Sequence, residues 1–485
     1  MISDKVRVRF APSPTGYLHV GGLRTALYNY LYAKKNNGVF VLRIEDTDQN
    51  RKVEGAVENL IKTLNWAGLR YDEGPVTGGE HGPYVQSERL DIYKEHADRL
   101  VKEGKAYYCF CSKERLELLR KEQEEKKLQP VYDKHCLKLS KQEIQEKIND
   151  GFPYVIRLNI RPNENVVVKD IIRGIVEFST STVDDQVLLK SDGFPTYHLA
   201  NVIDDHYMKI THVIRGEEWL PSTPKHVLLY NYFGWEVPSF AHLPLLLNPD
   251  RSKLSKRQGD VAVESYAEKG YLKEALVNFV ALLGWNAGDD REFYYLNELV
   301  DAFSLERVNK AGAVFDIQKL DWLNAEHLRK LDDATLAGML KEELAAGELK
   351  DLIPGDETLL KIVSCMRERI SFIKEIPVNA PYLFRKPDSY EEKGLQKGWK
   401  AETPAHLNEI LPKYEALENP VKDDYERVLR ETAESLGIGA GKLIHPLRLA
   451  VSGVSGGPGL FDIFDVIGQK EVVERIKTAV EKIRI

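Results

Sequence analysis

The sequence predicts an α/β N-terminal half with a Rossmann-like fold, split by an insertion domain, followed by an all-α C-terminal half. Three observations predict this architecture: a strand–helix–strand pattern at the N-terminus, two chemically related segments far apart, and helical periodicity from about residue 258 onward. The related segments are residues 13–22 (SPTGYLHVGG) and 253–257 (KLSKR). A His-x-Gly-Gly turn and a lysine-rich loop have a shared chemical role if both bind one triphosphate.

The N-terminal pattern is a βαβ unit. Residues 5–10 alternate apolar and polar side chains, as a strand does. Apolar residues recur at helical spacing from Leu23 to Leu31, and residues 39–44 form a nearly continuous apolar run, as in a buried strand. Such units are right-handed and bind ligands beyond the carboxyl ends of their strands. The residues at those ends are Arg9, Ser13, His19, Gly21 and Glu45.

An insertion should separate the two related segments. It follows a turn-rich exit at residues 72–79, and Ser87 is expected to cap a helix that ends near Gly104. The apolar run at residues 187–189 is expected to return the chain to the first fold. Residues 243–247 (LPLLL) predict a buried strand that leads into the lysine-rich loop.

These patterns predict the following boundaries. The Rossmann-like domain comprises residues 1–75 and 186–250, and residues 76–185 form the inserted domain. Residues 251–324 are a helical part that carries the KLSKR loop. Residues 325–485 are all-helical and divide into two subdomains near residue 376, with no strand-rich stretch.

Composition excludes several classes of protein. A chain of 485 residues can bury large cores, and four cysteines rule out a disulfide scaffold and fit a reducing cytosol. The sequence contains no run of about 18 apolar residues, so it predicts no transmembrane helix, and no signal-peptide pattern occurs at the N-terminus. The net charge of −7 does not itself favour nucleic acid. RNA binding would therefore require basic residues gathered on one face.

Longer motifs make the pattern specific. They are RFAPSPTG at residues 9–16, RIEDTD at 43–48, GFPTYHLAN at 193–201 and RGEEW at 215–219. With the two related segments, they resemble the bacterial-type glutamyl-tRNA synthetases of class I, from near Arg7 to about Asp321 and more loosely beyond. Val20 stands where that family often has Ile. The resemblance implies a ligase that activates L-glutamate with ATP to glutamyl-adenylate and transfers it to the 3′-terminal ribose of tRNA(Glu).

The resemblance also implies roles for individual residues. The catalytic residues are His19, Lys253 and Lys256, acting on ATP with Mg²⁺, and the ATP site adds Gly21, Glu218 and Trp219. The glutamate pocket comprises Arg9, Ala11, Ser13, Glu45, Tyr197, Asn201 and Arg215. Guanidinium forks bind carboxylates bidentately, so Arg9 and Arg215 are expected to bind the two carboxylates, and Glu45 the ammonium. A turn histidine that bonds its own loop is the simpler interpretation of His19.

A group of cysteines resembles a zinc site found in some family members. Cys109, Cys111 and Cys136, with the phenolate of Tyr132, offer four donors for a structural ion. His135 is a rival fourth ligand, and three reduced thiols in a small core are the alternative without metal.

The remaining implications concern tRNA. The insertion is expected to bind the acceptor stem, residues 251–324 to contact the stem, and residues 325–485 to bind the anticodon. The protein is expected to be a cytoplasmic monomer that does not bind membranes. Arg369 matches the position at which relatives that reject tRNA(Gln) carry arginine. A surface arginine is the simpler interpretation, and the alternative function is a non-discriminating enzyme that also glutamylates tRNA(Gln).

Two other classes of function fit the sequence less well. A small-molecule nucleotidyltransferase has a similar histidine turn but does not need the long helical half. A non-catalytic RNA-binding paralogue does not need His19, Lys253, Lys256 and Arg215 together. Exchange of pyrophosphate into ATP would discriminate between these classes.

Overall fold

The computed structural model describes residues 5–254 and 262–484, which form two compact units. The first unit holds the described residues of Met1–Lys269 and Lys273–Ile317, and the second holds those of Gly270–Leu272 and Gln318–Ile485. The boundary expected at residue 324 falls inside a helix, Ile317–Lys330, that continues across it. Lys256 lies outside the described residues.

The first unit mixes strands and helices. Its strands are β1 (Arg7–Phe10), β2 (Val39–Leu42), β3 (Ala106–Cys109), β4 (Val155–Leu158), β5 (Asn165–Asp170), β6 (Gly174–Ser179), β7 (Val187–Leu189), β8 (His212–Gly216), β9 (Ser239–Leu243), β10 (Leu246–Leu247) and β11 (Ala313–Val314). Its helices are α1 (Val20–Lys35), α2 (Ala56–Trp66), α3 (Leu90–Lys102), α4 (Lys113–Glu125), α5 (Lys141–Asn149), α6 (Tyr197–Tyr207), α7 (Thr223–Phe233), α8 (Val263–Glu268), α9 (Lys273–Ala281) and α10 (Leu296–Ala302).

The predicted βαβ unit is confirmed. Strands β1 and β2 pair in parallel, with Arg7 opposite Val39 and Phe10 opposite Leu42, and α1 crosses between them. All four residues of each strand are buried, which explains the apolar run of β2. Strands β8 and β9 form a second parallel pair, and the Thr211 N–H donates to the Arg7 carbonyl at 2.9 Å.

The insertion does not close where the sequence suggested. Strand β7 pairs antiparallel with β4, in a sheet of order β3-β4-β7, and so belongs with the inserted strands. The β5–β6 hairpin instead joins β9, through Asp170 opposite Phe240. An apolar run predicts a strand but not its partner, because either sheet edge can satisfy its backbone groups.

Two local expectations were wrong. Ser87 does not cap α3, because its N–H and hydroxyl bind the Asp46 carboxylate at 2.9 and 2.8 Å, and the helix begins after Arg89. Residues 243–247 are not one strand. Pro244 has no N–H for a ladder, so β9 ends at Leu243 and the short β10 pairs with β11.

The second unit is helical, as predicted, and its described residues contain no strand. Its helices are α11 (Ile317–Lys330), α12 (Asp333–Ala346), α13 (Asp356–Met366), α14 (Glu375–Asn379), α15 (Glu392–Gly398), α16 (Thr403–Glu415), α17 (Lys422–Ser435), α18 (Gly441–Ser452), α19 (Leu460–Ile467) and α20 (Gln469–Lys482). Tyr414, Tyr425 and Phe464 meet edge to face in its core, with ring centroids 5.2–5.8 Å apart. In the part of the chain that the structure describes, no helix has the length and apolarity to cross a membrane.

Candidate active site

A cavity of about 1020 Å³ opens in the first unit, beyond the carboxyl ends of β1, β2, β8 and β9. Parallel strands commonly present ligand sites at this edge. Eleven of the predicted residues line the cavity: Arg9, Ala11, Ser13, His19, Gly21, Glu45, Tyr197, Arg215, Glu218, Trp219 and Lys253. Residues far apart in the chain therefore share one wall, as the two separated signatures required.

His19 is the N-cap residue of α1. Its Nδ1 accepts the backbone N–H of Gly22 at 3.0 Å, so the neutral ring carries its proton on Nε2. The simpler interpretation of His19, a side chain hydrogen-bonded to its own loop, is therefore confirmed for Nδ1. A Cβ on Gly21 would lie 3.1 Å from His19 Nδ1, so glycine leaves room for this ring. The helix N-terminus and a fixed Nε2 donor together suit a phosphate.

The flanks of the lysine-rich loop attach beside the histidine turn. The Leu254 N–H donates to Leu246 of β10 at 2.9 Å, and the Val263 N–H donates to Leu18 at 2.9 Å. Lys253 is exposed at the cavity wall. Both ends of the loop thus lie next to the turn that carries His19.

Arg9 is buried at 4% exposure and belongs to a network of charges. Its Nε donates to both oxygens of Asp205, at 3.0 and 3.3 Å. Arg43 is fully buried and donates to Asp205 at 2.6 Å and to Glu45 at 3.0 Å. No described residue accepts a hydrogen bond from the terminal nitrogens of Arg9, which leaves its fork available to a ligand in the cavity.

A second set of bonds extends this network away from the cavity. Asp204 accepts from Arg89 at 2.7 Å and from Tyr93 at 2.9 Å, and Arg43 Nε lies 3.8 Å from its carboxylate. Six charged side chains therefore lie in one buried group: three arginines and three acids, Arg9, Arg43, Arg89, Glu45, Asp204 and Asp205.

The network perturbs its carboxylates in opposite directions. Burial raises the pKa of Glu45, although Arg43 and Arg9 act against it. Burial also acts on Asp205, but the nearby Arg9 and Arg43 outweigh it and lower its pKa. Asp205 is thus the carboxylate that the two arginines hold in its charged form.

Arg215 is held differently from Arg9. Its Nε donates to His242 at 3.1 Å, and its Nη atoms donate to Tyr197 at 3.0 Å and Thr223 at 2.9 Å. Further contacts reach His226 and the Trp219 carbonyl, so all five N–H groups have neutral acceptors. The Tyr197 ring packs on the Trp219 ring, with centroids 4.3 Å apart, and both rings line the cavity.

Asn201 departs from the predicted set. It lies in α6, is 2% exposed and does not line the cavity. Its amide nitrogen is buried with no hydrogen-bond partner among the described residues, an arrangement that normally requires an explanation. A carboxylate bound nearby would supply one.

Several residues that support the site were missed by the sequence analysis. Arg43 begins the RIEDTD motif, and Asp204 and Asp205 closely follow the GFPTYHLAN motif, but no role was predicted for any of the three. Paired acids within the helix that carries the motif are the only signal that the sequence offers for the two aspartates. His242 and Asp170 had no signal at all, because their significance lies in contacts made by distant segments.

The cysteine cluster lies in the insertion. Tyr132 Oη is 3.4 Å from Cys109 Sγ and 3.2 Å from Cys111 Sγ, and Cys111 Sγ is 3.5 Å from Cys136 Sγ. The three sulfur atoms all lie within 4.8 Å of one another. A hydrogen bond from Cys136, with others from Tyr132 and Arg157, overcomes burial and lowers the pKa of Cys109. His135, the rival ligand, is exposed and outside the group.

In the second unit, Arg369 is exposed at the end of a short 3₁₀ helix, Arg367–Arg369. Arg367 is tied to Asp333 at 2.6 Å and Glu368 to Arg329 at 3.1 Å. No described residue forms a hydrogen bond or ion pair with the Arg369 side chain. Of the two arginines in this helix, Arg369 is therefore the one available to a partner.

Known proteins resemble the chain along its whole length. Residues 5–322 match the family described as tRNA synthetases class I (E and Q), catalytic domain, and residues 334–480 match the family described as anticodon binding domain. Proteins named glutamate–tRNA ligase from Chloroherpeton thalassium and Chlorobium luteolum are 54% and 52% identical, with alignments that cover 100% of this chain and 99% of each relative. A crystal structure titled as a glutamate tRNA ligase from Elizabethkingia meningosepticum in complex with its amino acid has a TM-score of 0.94 and 41% identity, and covers 99% of this chain and 100% of that one.

Proposed function

Because the chain belongs to the glutamate–tRNA ligases of class I, with ATP, glutamate and tRNA as substrates, we propose that its cavity binds ATP and L-glutamate side by side. The observation that carries this proposal is the convergence of eleven predicted residues on one cavity. Glutamate is activated to glutamyl-adenylate and then passes to the 3′-terminal ribose of tRNA(Glu). The alternative is a non-discriminating enzyme that also charges tRNA(Gln).

The first step needs positioning and charge stabilisation rather than a protein nucleophile. A glutamate carboxylate oxygen attacks the α-phosphate of ATP, and pyrophosphate leaves. Donors aimed at the developing negative charge lower the barrier. His19 and Lys253 line the cavity and suit this role, and Lys256 is assigned to it by its place in the motif. Mg²⁺, when bound to the triphosphate, neutralises part of its charge.

Glutamate binding is assigned mainly to charged residues. The terminal nitrogens of Arg9 and the guanidinium of Arg215 bind the carboxylates, and the Glu45 carboxylate binds the ammonium. Ala11, Ser13 and Tyr197, which line the cavity, complete the pocket by backbone or side-chain contacts. Asn201 is assigned to glutamate by its place in the motif, and a bound carboxylate would pair with its buried amide nitrogen. Gly21, Glu218 and Trp219 are assigned to ATP.

Arg9 provides a direct test of this assignment. Arg9→Ala should raise KM for glutamate about tenfold to a hundredfold while KM for ATP changes little, because one carboxylate loses a charged donor. Arg9→Lys keeps the charge but loses the planar fork, so its effect should be intermediate. Pyrophosphate exchange, measured with tRNA present, gives both constants. Equal changes in the two KM values would remove Arg9 from the pocket.

The proposed domain roles follow the sequence analysis. The Rossmann-like domain catalyses, and the insertion, which includes β7, binds the acceptor stem. The part of the first unit that follows residue 250 contacts the stem, and the second unit binds the anticodon, with a subdomain boundary near residue 376. A cytoplasmic monomer is proposed, and the four cysteines, which form no disulfide in the structure, fit a reducing cytosol.

Arg369 is proposed to discriminate between tRNA(Glu) and tRNA(Gln). The two anticodons can differ only in the last letter, C against G, and a guanidinium donates to the acceptors on the cytosine edge. A contact of this kind is worth about 1–3 kcal/mol, or roughly tenfold to a hundredfold selectivity. The wild-type enzyme should prefer tRNA(Glu) by that factor, and Arg369→Gln should lose the preference.

Arg385→Gln is the matched control, because Arg385 is also exposed in the second unit. Charging rates on both tRNAs should keep their wild-type ratio in this variant. Equal charging of the two tRNAs by the wild type would identify a non-discriminating enzyme. Full selectivity in Arg369→Gln would assign discrimination to another residue.

A structural zinc ion is proposed at Cys109, Cys111, Cys136 and Tyr132. Tetrahedral zinc with Zn–S distances of about 2.3 Å requires sulfur atoms roughly 3.8 Å apart, and the cluster fits this spacing. Tyr132 Oη is near two of the sulfurs and could complete the tetrahedron. No reaction step requires this ion, so it would stabilise the insertion.

Metal analysis tests the zinc proposal. Protein purified without chelator should contain about one zinc per chain, and Cys111→Ser should lose most of it. Cys365→Ser, in the second unit, is the matched control and should retain the metal. Wild-type protein without zinc would show that the three thiols form a small core instead.

A further inference from the structure

Arg9 and Arg215 both line the cavity, but their charges are balanced differently. Arg9 is paired with Asp205 at 3.0 Å. Arg215 is 5% exposed, and no described carboxylate lies within 4.0 Å of its nitrogens. A buried guanidinium without a counter-ion is costly, so this charge favours an anion from outside the protein.

The acceptors around Arg215 have fixed proton positions. Arginine can only donate, so His242 Nε2 must accept its Nε–H and the His242 proton lies on Nδ1. That proton points to Asp170 Oδ2, 2.6 Å away. By the same reasoning His226 Nδ1 accepts from Arg215, and its Nε2–H donates to His198 at 2.9 Å.

Asp170 is itself held firmly. It accepts the N–H groups of Ile172 at 3.0 Å and Arg173 at 2.8 Å, and that of His242 at 3.1 Å. Burial would raise the pKa of Asp170, but the bond from the His242 ring and those from the backbone N–H groups of Arg173 and His242 lower it overall. The carboxylate therefore stays charged and keeps the His242 proton on Nδ1.

The histidines remain neutral. Burial, reinforced by the Arg215 charge, lowers the pKa of His226 well below its ordinary value. Burial also lowers the pKa of His242, although the bond to Asp170 opposes it. Neutral acceptors orient Arg215 without cancelling its charge. The cavity wall includes Tyr197 and Trp219 but not the two histidines, so the histidines hold Arg215 from behind.

We propose that His242, fixed by Asp170, is a positioning residue that aims the uncompensated Arg215 at a carboxylate of glutamate. The proposal rests on the assignment of Arg215 to the glutamate pocket made under the proposed function. His242 orients the guanidinium through Nε2. When glutamate binds, its carboxylate replaces the Tyr197 hydroxyl, on the cavity side, as an acceptor from Arg215.

Two substitutions of His242 separate positioning from packing. Glutamine can place an acceptor near the Nε2 position, whereas asparagine reaches only the Nδ1 position. His242→Asn should raise KM for glutamate about tenfold to a hundredfold, with KM for ATP nearly unchanged. His242→Gln should recover most of that loss. The same increase in both variants, or equal changes for both substrates, would overturn the proposal.

A variant of Asp170 tests the same chain of contacts, from Asp170 through His242 to Arg215, without truncating the histidine. In Asp170→Asn, the asparagine NH₂ can face His242 Nδ1, so that Nδ1 becomes the acceptor and the ring proton moves to Nε2. The His242 Nε2–H and the Arg215 Nε–H, both donors, then face each other. KM for glutamate should rise selectively in this variant, and an unchanged KM would overturn the proposal even if His242→Asn fails to fold. His212→Asn is the control, because the His212 ring contacts Thr211 and Tyr32 rather than Arg215.

Arg215→Ala distinguishes this inference from the assignment on which it rests. If Arg215→Ala leaves KM for glutamate unchanged, the proposed role of Arg215 fails. If Arg215→Ala raises it but His242→Asn and Asp170→Asn do not, only the positioning role fails.

Discussion

Replacing His19 by alanine should reduce adenylate formation by on the order of a hundredfold or more, as the loss of other transition-state donors does. His19 would then have two separable functions, the helix cap that the structure shows and the proposed contact with phosphate. Nδ1 caps α1 through the Gly22 N–H, and Nε2 carries the proton that a phosphate would receive as a hydrogen bond. Pyrophosphate exchange with tRNA present measures the catalytic function, and thermal unfolding measures the cap.

Asparagine at position 19 separates the two functions. Its side-chain oxygen can occupy the Nδ1 position and accept from Gly22, so His19→Asn should restore the roughly 1 kcal/mol that a lost cap costs. It has no donor at the Nε2 position, so its exchange rate should stay as low as that of His19→Ala. Near-normal exchange in a folded His19→Asn protein would reduce His19 to a helix cap.

Replacing Arg43 by methionine should destabilise the first unit by about 3–5 kcal/mol, because breaking a buried ion network leaves uncompensated charges. Arg43 is 0% exposed and donates to Asp205 and Glu45. Burial alone would lower the pKa of Arg43, but Asp205, Glu45 and Asp204 together raise it well above its usual value. The free energy of unfolding, from urea titration, gives the measurement.

Lys273→Met is the matched control. Lys273 pairs with Glu274 at 3.8 Å, with both side chains about half exposed, and such pairs contribute roughly 0–1 kcal/mol. A loss below about 1 kcal/mol in Arg43→Met as well would mean that the network reorganises or recruits water. Arg43→Met should also raise KM for glutamate, since Arg43 shares Asp205 with Arg9.

The sequence identifies those cavity residues that lie beside recognisable strands or within recognisable motifs. Arg9 lies at the carboxyl end of one recognisable strand of the βαβ unit, and His19 and Glu45 lie beyond the ends of its strands, so their shared edge can be predicted from hydrophobic period and parallel topology. Arg215 and Lys253 were placed by motif, and their arrival at the same cavity agrees with the need for two separated segments to meet. Asn201, also placed by motif, is buried behind the wall.

Sequence reasoning did not find the partners that hold these residues. Asp205 and Arg9 are 196 residues apart in the chain, and His242 and Asp170 are 72 apart. A lone aspartate or histidine carries no local pattern that identifies such a partner. The same limit explains β7, whose apolar residues predicted a strand but not the sheet edge on which it pairs.

The sequence by itself determined the fold class, the order of the elements, the helical second half and most of the residues that reach the cavity. Those features depend on local periodicity, turn chemistry and motifs read along the chain. Only the tertiary structure decided that Arg9 is paired with a carboxylate while Arg215 is surrounded by neutral acceptors, and that Tyr132 rather than His135 meets the cysteines. The physical reason is that charge balance and ligand geometry depend on distances of a few ångströms between segments that chain connectivity does not relate.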